Sequence, residues 1–317
     1  MIPINPIIFL LSFLVCFMVT TIFINRRKNL VRDVYKKGYP MIPSFGGIPI
    51  LFGVIFGLIL SQIMASPETF IEMEKLLIFY FVVLSFGIFS LADDLIDIGR
   101  KAKIFLPFFL ALPIALLNID TTFYFGFGEI ELGMIFAYLV APLYLMVVAN
   151  LINMHSGYNG LQTGLSGILL VTIAAKVIMV YGWQTAHFIM PILGAVLAFW
   201  YFDRYPSKIF LGNVGSFVIG SAIGGLLIMN NMELFGIIIL IPHIINFLMY
   251  VAWRVFKIYP KSHKFGNIRD DGTIEVPNPL TLKWTLPYYF NLTEKQGTYI
   301  MYLFTIIFCL IGLLSQL

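Results

Sequence analysis

The sequence predicts an all-α fold, a polytopic membrane bundle of about ten transmembrane helices with one small outer hairpin. Of its 317 residues, 60% are hydrophobic and only 11% are charged, and the mean hydropathy is +0.92. This composition excludes an ordinary soluble globular domain. Repeated apolar stretches of about 20 residues, the length that crosses a bilayer as a helix, support the same class.

The apolar stretches divide the chain into ten candidate spans, and no Pro, Gly or Ser-rich linker separates them. We therefore expect a single integral-membrane domain over residues 1–317. The first stretch is expected to be a retained span, because its basic flank follows it instead of preceding it. The predicted spans are 6–24, 45–64, 75–91, 104–118, 133–152, 165–182, 187–202, 214–230, 234–253 and 298–316.

The basic residues predict the orientation of these spans. Ten spans place the odd-numbered loops on one side, and those loops hold 18 of the 20 Lys and Arg residues. Because Lys and Arg accumulate in cytoplasmic loops, we expect both termini outside and a long cytoplasmic loop at about 254–297. On the other side, the segment 118–133 contains TTFYFGFGEIEL, whose alternation and glycines predict the outer hairpin.

Three aspartates, Asp93, Asp94 and Asp97, end the apolar run of the third span. Ionised side chains are costly at that depth, so the cluster indicates a bound cation, most simply a metal ion. Lys103, which follows a short turn at Gly99, could return a positive charge to the same place. The alternative is that the aspartates only cap the span at the water interface, but a solvated cap does not need three carboxylates.

Two further polar segments join spans on the predicted cytoplasmic side. The loop from Asn150 to Gly164 holds three asparagines and three glycines. Amide oxygens coordinate Mg²⁺ without adding charge, and glycine lets the backbone approach a ligand closely. The segment from Tyr205 to Ser216 leads into a helix start, whose free N–H groups suit an anion such as a diphosphate. Taken alone, the first is equally typical of a Gly-rich turn, and the second is a weak signal.

A basic segment containing Lys261, His263 and Lys264 follows the ninth span. Alone, it could simply hold anionic headgroups. Together with the other segments it describes a site where a nucleotide diphosphate meets a lipid phosphate, with a metal ion neutralising charge during phosphoryl transfer. A secondary transporter is the alternative class, but its ion site should lie near the bilayer midplane, whereas these carboxylates gather at the inner boundary.

Five stretches in chain order share their spelling with one known family. The chain resembles the polyprenyl-phosphate N-acetylhexosamine-1-phosphate transferases, of the glycosyltransferase 4 type, and looks most like the branch that makes dolichyl-diphosphate GlcNAc. The stretches are Pro43-Ser-Phe-Gly46-Gly47, Asp93-Asp94-x-x-Asp97, Asn150-x-x-Asn153 to Asn159-Gly160-Leu161, Tyr205-Pro206-Ser207 to Gly212-Asn213, and Ile241-Pro242 to Asn246-Phe247.

The resemblance implies transfer of GlcNAc-1-phosphate from UDP-GlcNAc to a polyprenyl phosphate such as dolichyl phosphate, with release of UMP. This would be the first step of lipid-linked glycan assembly, as in N-glycosylation. The expected membrane is the plasma membrane of a prokaryote or that of the endoplasmic reticulum, with a cytoplasmic active site. Expected partners are the UDP-sugar, the lipid acceptor and the membrane but no nucleic acid, and a homodimer is left open.

The resemblance also implies residue roles. It assigns catalysis to Asp93, Asp94 and Lys103, and it assigns Mg²⁺, or alternatively Mn²⁺, to Asn153 and Asn213. Substrate contacts are implied for Asp97, Asn150, Asn159, Gly160, His263 and Lys264. Another UDP-N-acetylhexosamine or UDP-MurNAc-pentapeptide is the alternative donor, although the last cytoplasmic loop lacks the His-rich run of the latter branch.

Two departures from the family pattern bear on the site. Asn213 stands where the family has a metal-binding aspartate, which keeps an oxygen ligand and removes a charge, so we expect weaker Mg²⁺ binding. In the basic segment, Ser262 and Lys264 stand where the family has arginines. Lysine cannot form the bidentate fork of arginine, so the sugar and diphosphate contacts of that segment are less secure.

Overall fold

Helices make up most of the computed structural model, which describes residues 4–64, 73–96, 98–117, 119–125, 128–259 and 265–315. The helices, in chain order, are α1 (Ile4–Arg26), α2 (Gly47–Ile63), α3 (Met73–Ile96), α4 (Arg100–Ala111), α5 (Ala141–Met154), α6 (Leu161–Tyr181), α7 (Met190–Asp203), α8 (Gly212–Met229), α9 (Glu233–Ile239), α10 (Ile241–Phe256), α11 (Leu282–Tyr289) and α12 (Glu294–Leu314).

Short elements extend or join these helices. Turns of 3-10 helix at Leu112–Leu117 and Trp183–Phe188 follow α4 and precede α7, and a π-helical turn at Phe136–Val140 leads into α5. The strands form three antiparallel pairs. They are β1 (Leu30–Arg32) with β2 (Met41–Pro43), β3 (Thr122–Tyr124) with β4 (Glu129–Glu131), and β5 (Asn267–Ile268) with β6 (Ile274–Glu275).

The all-α prediction is confirmed, and every predicted span contains a helix. Within the described residues, six helices are long and apolar enough to cross a membrane: α1, α3, α5 with its π-helical turn, α6, α8 and α12. The second, fourth and seventh spans are shorter apolar helices. The hairpin predicted within 118–133 is β3–β4, whereas the sequence did not reveal the other two hairpins.

The ninth span differs from the prediction because it is broken. Helices α9 and α10 meet at an angle of 67° across Leu240. Pro242 is the second residue of α10 and has no N–H to continue the hydrogen-bond ladder of α9, so a new helix starts there. The bend turns α10 away from the axis of α9 before the chain leaves the bundle.

The loop predicted at 254–297 is shorter at both ends. Helix α10 continues to Phe256, and α12 already begins at Glu294. A capping box explains the early start: the Thr293 hydroxyl accepts from the Gln296 N–H, and the Gln296 side chain accepts from the Thr293 N–H. These bonds satisfy N–H groups that the first helical turn leaves without partners.

Helix α8 is the axis of the bundle. All residues from Val214 to Ile228 are buried, and α2, α3 and α5 pack against it. Glycines permit the close approach: a Cβ on Gly220 would lie 2.7 Å from Ala149 Cα in α5, and one on Gly47 would lie 2.1 Å from the Gly215 nitrogen. Such small-residue contacts stabilise helix pairs where lipid removes the usual hydrophobic driving force.

The alternation of the spans brings several helix termini together. The ends of α3, α5 and α10 lie at the same end of the bundle as the starts of α4, α6, α8 and α12, and we call this the polar end. It carries the polar segments singled out in the sequence.

We predict that Gly47→Ala lowers the free energy of unfolding by about 1–3 kcal/mol, since the added methyl group overlaps the α8 backbone. Thermal unfolding in detergent measures the loss. Gly167→Ala is the control, because its methyl group would meet only the end of the Leu197 side chain, at 3.3 Å. Equal melting temperatures for the two variants would contradict close packing of α2 on α8.

Candidate functional site

An ion pair joins the end of α3 to the start of α4. Gly99 adopts a φ of +91°, a value that favours glycine, and the chain reverses there. Lys103 Nζ then lies 2.8 Å from Asp93 Oδ2, and the Ile98 N–H donates to Asp93 Oδ1 at 3.1 Å. The predicted return of Lys103 to the aspartates is confirmed. Asp93 is therefore a buried carboxylate with both oxygens engaged.

The neighbouring Asp94 contacts α8. Its side chain is exposed, and Asn213 Nδ2 donates a 2.6 Å hydrogen bond to Asp94 Oδ1. An aspartate at position 213 would instead bring two carboxylates together, whose repulsion is relieved by a bound cation or by a shared proton. The asparagine replaces that repulsion with a direct bond. The third member of the predicted cluster, Asp97, lies outside the described residues.

The loop from Asn150 to Gly164, which we call the Asn/Gly loop, starts beside α8. Asn150 Nδ2 donates to the Met146 carbonyl at 2.9 Å, whereas the side chain of Asn153, on the last turn of α5, makes no hydrogen bond to the described chain. Gln162 Nε2 donates to the Ile152 carbonyl and to Ser216 Oγ, at 2.9 and 2.8 Å. Ser216 lies about one helical turn from Asn213. The Gln162 side chain therefore joins the end of α5 to the start of α8.

Asn159, a predicted substrate contact, is buried at the junction of three segments. Its N–H donates to Glu294 Oε1 at 2.6 Å, and its Oδ1 accepts from the Ser207 N–H at 2.8 Å. The next residue, Gly160, has a φ of +70°, and its carbonyl accepts from the Tyr302 hydroxyl. The side-chain oxygen of Asn159 thus already accepts a hydrogen bond from within the protein. Asn159 therefore holds the Asn/Gly loop in place in addition to any contact with a substrate.

A buried charge network holds this junction, and sequence reasoning missed it. Lys36 pairs with Glu294 and lies 3.5 Å from Asp33, and its ammonium lies 4.1 Å from the ring centroid of Tyr205. Asp33 and Glu294 are 3% and 2% exposed. Lys36 and Glu294 are 258 residues apart, so no local pattern could have joined them.

The loop after α10 reaches the Asn/Gly loop through α11. Lys283 Nζ donates to the Ser156 carbonyl, and the Tyr158 hydroxyl donates to the Lys283 carbonyl at 3.0 Å. The amide of Asn246 bridges the same two segments, accepting from the Leu282 N–H and donating to the Met154 carbonyl. Burial lowers the pKa of Lys283 to about 8.

Two other basic residues of this loop were predicted to contact the substrate. His263 and Lys264 lie outside the described residues. Sequence reasoning had counted Lys283 only among the cytoplasmic charges, and its contact with Ser156 makes it part of the site's support. A partly buried lysine beside a carbonyl has no recognisable spacing signal.

The predicted anion site before α8 has fewer free N–H groups than expected. The N–H groups of Ser207, Lys208 and Phe210 already donate to Asn159 Oδ1, the Phe202 carbonyl and the Pro43 carbonyl. The orphan N–H groups that a helix start offers are therefore those of the first turn of α8, beside Asn213.

The donors at the polar end fit a hard divalent cation. Among the residues described, no three His, Cys, Asp or Glu side chains cluster as a preformed metal centre. What the site offers is mixed: the Asp94 carboxylate, the Asn213 amide whose nitrogen bonds to Asp94, and the amide of Asn153. Carboxylate and amide oxygens suit Mg²⁺ or Mn²⁺.

A helical membrane bundle with charged and amide groups gathered at one end is typical of a polytopic membrane enzyme acting on polar substrates at the bilayer surface. The family model for glycosyl transferase family 4 matches residues 76–231. The chain is 30% identical over 290 residues, 86% of each chain, to a protein of Sulfolobus acidocaldarius provisionally named UDP-N-acetylglucosamine–dolichyl-phosphate N-acetylglucosaminephosphotransferase. The protein therefore belongs to glycosyl transferase family 4.

Other relatives carry two different names. A protein of Saccharolobus solfataricus with the same provisional name is 28% identical, over 86% of this chain and 85% of its own. A phospho-N-acetylmuramoyl-pentapeptide-transferase of Oceanobacillus iheyensis is also 28% identical, over 80% of this chain and 86% of its own. Family membership favours the transferase hypothesis over the transporter.

We predict that Lys283 makes the stability of the protein rise with pH above about 8. Between the folded pKa of about 8 and the ordinary value of 10.5, the folded amine is neutral while the unfolded one still binds a proton. The unfolded state then binds more protons, so the free energy of unfolding increases by up to about 1.4 kcal/mol per pH unit.

Thermal unfolding at pH 7 and pH 9.5 tests this, with Lys283→Met as the comparison. The change in melting temperature from pH 7 to pH 9.5 should be more positive in the native chain than in Lys283→Met. Identical pH dependence in both proteins would show that the ammonium of Lys283 is not buried.

Proposed function

We propose that the protein transfers GlcNAc-1-phosphate from UDP-GlcNAc to a polyprenyl phosphate such as dolichyl phosphate, forming polyprenyl-diphosphate-GlcNAc and UMP. The observation that carries the proposal is the pairing of Asp93 with Lys103 beside the pairing of Asp94 with Asn213, at the end of a membrane span. A charged donor and a lipid phosphate can meet there. The names of the relatives from Sulfolobus acidocaldarius and Saccharolobus solfataricus support this substrate pair.

In the proposed reaction, a lipid phosphate oxygen attacks the β-phosphorus of UDP-GlcNAc. The bond from that phosphorus to the oxygen shared with the α-phosphorus breaks, and UMP leaves with the electron pair. The lipid phosphate is largely ionised near pH 7 and needs no base. Asp93, already paired with Lys103, would position the ammonium toward phosphate oxygens and would not accept a proton.

We propose that a divalent cation, Mg²⁺ or alternatively Mn²⁺, is held by Asp94, Asn213 and Asn153. When bound, it would neutralise charge on the diphosphate as the phosphoryl group transfers. We place this site on the cytoplasmic side, because 18 of the 20 basic residues lie in the odd-numbered loops, which join the spans at the polar end.

The test is release of UMP by purified protein supplied with polyprenyl phosphate, Mg²⁺ and a panel of UDP-sugars. Turnover with UDP-GlcNAc supports the proposal. Turnover with UDP-MurNAc-pentapeptide alone would favour the second candidate function, which the names of the pentapeptide-transferase relatives suggest. If none of the donors in the panel yields UMP, both candidate functions are rejected.

We predict that Asp93→Asn lowers kcat by about 100-fold while UDP-GlcNAc still binds, because the substitution removes the carboxylate that orients the Lys103 ammonium. Turnover and equilibrium donor binding are measured together. Asp270→Asn, an exposed aspartate beside the β5–β6 hairpin, is the control. Full activity in Asp93→Asn would exclude the role assigned to the ion pair.

We predict that Asn213→Asp lowers the Mg²⁺ concentration needed for half-maximal activity by about tenfold, since the added carboxylate attracts the cation and loses the bond to Asp94. Titration of UMP release with Mg²⁺ measures this. An unchanged or higher Mg²⁺ requirement would count against a cation between these side chains.

We predict that Glu294→Gln raises KM for UDP-GlcNAc by about tenfold, with a smaller change in kcat. The substitution removes the counter-ion of Lys36 and weakens the acceptor of the Asn159 N–H. The exposed Glu275 provides the matched variant, Glu275→Gln, which should leave KM unchanged. A normal KM in Glu294→Gln would mean that the charge network of Lys36 and Glu294 does not position the Asn/Gly loop for donor binding.

A further inference from the structure

Exposed aromatic side chains gather where α10 and α11 end. We call them the aromatic cluster. Phe256, Tyr289 and Phe290 are 73%, 66% and 60% exposed, and Tyr288 is 42% exposed. The rings of Tyr288 and Tyr289 lie 5.1 Å apart at 82°. An exposed aromatic surface of this kind indicates a binding surface.

The cluster lies at the boundary between two spans and the loop that joins them. Phe256 is the last residue of α10, the second half of the bent span, and Phe290 precedes the start of α12 by four residues. The bilayer therefore lies next to both segments. Amphipathic aromatic rings prefer this depth, where the ring contacts acyl chains and the hydroxyl meets headgroups.

Two basic residues lie next to the cluster at the end of α10. Arg254 lies on the last turn of α10, with its guanidinium 4.6 Å from the Trp253 ring centroid and 5.3 Å from that of Tyr250. Lys257 follows, exposed, at the C-cap. Lysine and arginine near a membrane surface attract anionic lipids. The surface thus combines apolar rings with positive charge, which matches the chemistry of an interfacial lipid layer.

The opposite side of α11 is buried against the functional site. Trp284 is 2% exposed and packs against Trp253 with ring centroids 6.0 Å apart, while Lys283 contacts the Ser156 carbonyl. One short helix therefore has the Asn/Gly loop on one side and the aromatic cluster at its end.

We propose that the aromatic cluster is a membrane-docking surface that inserts into the headgroup layer at the polar end and so holds the site at the depth of the lipid acceptor's phosphate. The occupant is the bilayer itself. The docking does not depend on the reaction, whereas its effect on use of the lipid acceptor rests on the proposed function.

Site-directed spin labelling tests the docking directly. A nitroxide at Tyr289→Cys in the full chain, reconstituted in vesicles containing anionic lipid, is compared with one at Leu303→Cys within α12 and one at Asp270→Cys beside the β5–β6 hairpin. The native Cys16 and Cys309 are buried, and unmutated protein reports any labelling of them. We expect the ratio of oxygen to nickel-chelate accessibility at position 289 to lie between the ratios at 303 and at 270, as for a side chain in the headgroup layer. Accessibility to aqueous nickel chelate equal to that at 270 would overturn the proposal.

The second measurement is kinetic. In vesicles, Tyr288→Ser combined with Tyr289→Ser should raise the apparent KM for polyprenyl phosphate about fivefold and leave the KM for UDP-GlcNAc unchanged. Tyr138→Ser, an equally exposed tyrosine at the other end of the bundle, is the control and should change neither. An unchanged acceptor KM would overturn the link between docking and acceptor use. If native protein releases no UMP, the proposed function fails and the spin labels alone decide the docking.

Discussion

The buried carboxylates of the polar end each have a lysine or hydroxyl partner within a few ångströms, and this end of the bundle is organised around that constraint. Three acidic side chains there are at most 5% exposed and lie near a lysine: Asp93 near Lys103, and Asp33 and Glu294 near Lys36. Leaving any one of them alone in a low-dielectric setting would cost several kcal/mol. The Asp93–Lys103 and Lys36–Glu294 pairs join separate elements of the bundle, whereas Asp33 and Lys36 lie three residues apart in the same segment.

The two sets of pairs do different work. The Asp93–Lys103 pair fixes a cation at the end of α3, next to the exposed Asp94 and the start of α8. The Lys36–Glu294 pair stands behind the Asn/Gly loop and orders the backbone of Asn159. Close packing of α8 on its neighbours keeps both sets at the same level. The result is a site whose charged groups are arranged before any substrate arrives, which is what electrostatic catalysis requires.

Local patterns in the sequence predicted the features that depend on local physics. Runs of apolar residues predicted the spans, alternation with glycine predicted the β3–β4 hairpin, and the short turn at Gly99 predicted the return of Lys103. The bend in the ninth span was also local, since Pro242 was visible, but helix-interior and helix-start prolines look alike in a hydrophobic run. The roles of Lys36, Glu294 and Lys283 depend on contacts between distant segments, and no spacing rule reveals such contacts. Which amide of the Asn/Gly loop is already used by the protein likewise follows only from tertiary structure.

The central claim is that a phosphoryl group, with its sugar attached, moves to the lipid at this site. UDP-GlcNAc labelled with ³²P in the β-phosphate tests it in one turnover with polyprenyl phosphate. The account predicts that the label is recovered in the lipid product and that the released nucleotide is unlabelled UMP. Label retained in released UDP would mean that the sugar alone is transferred, and it would contradict the account.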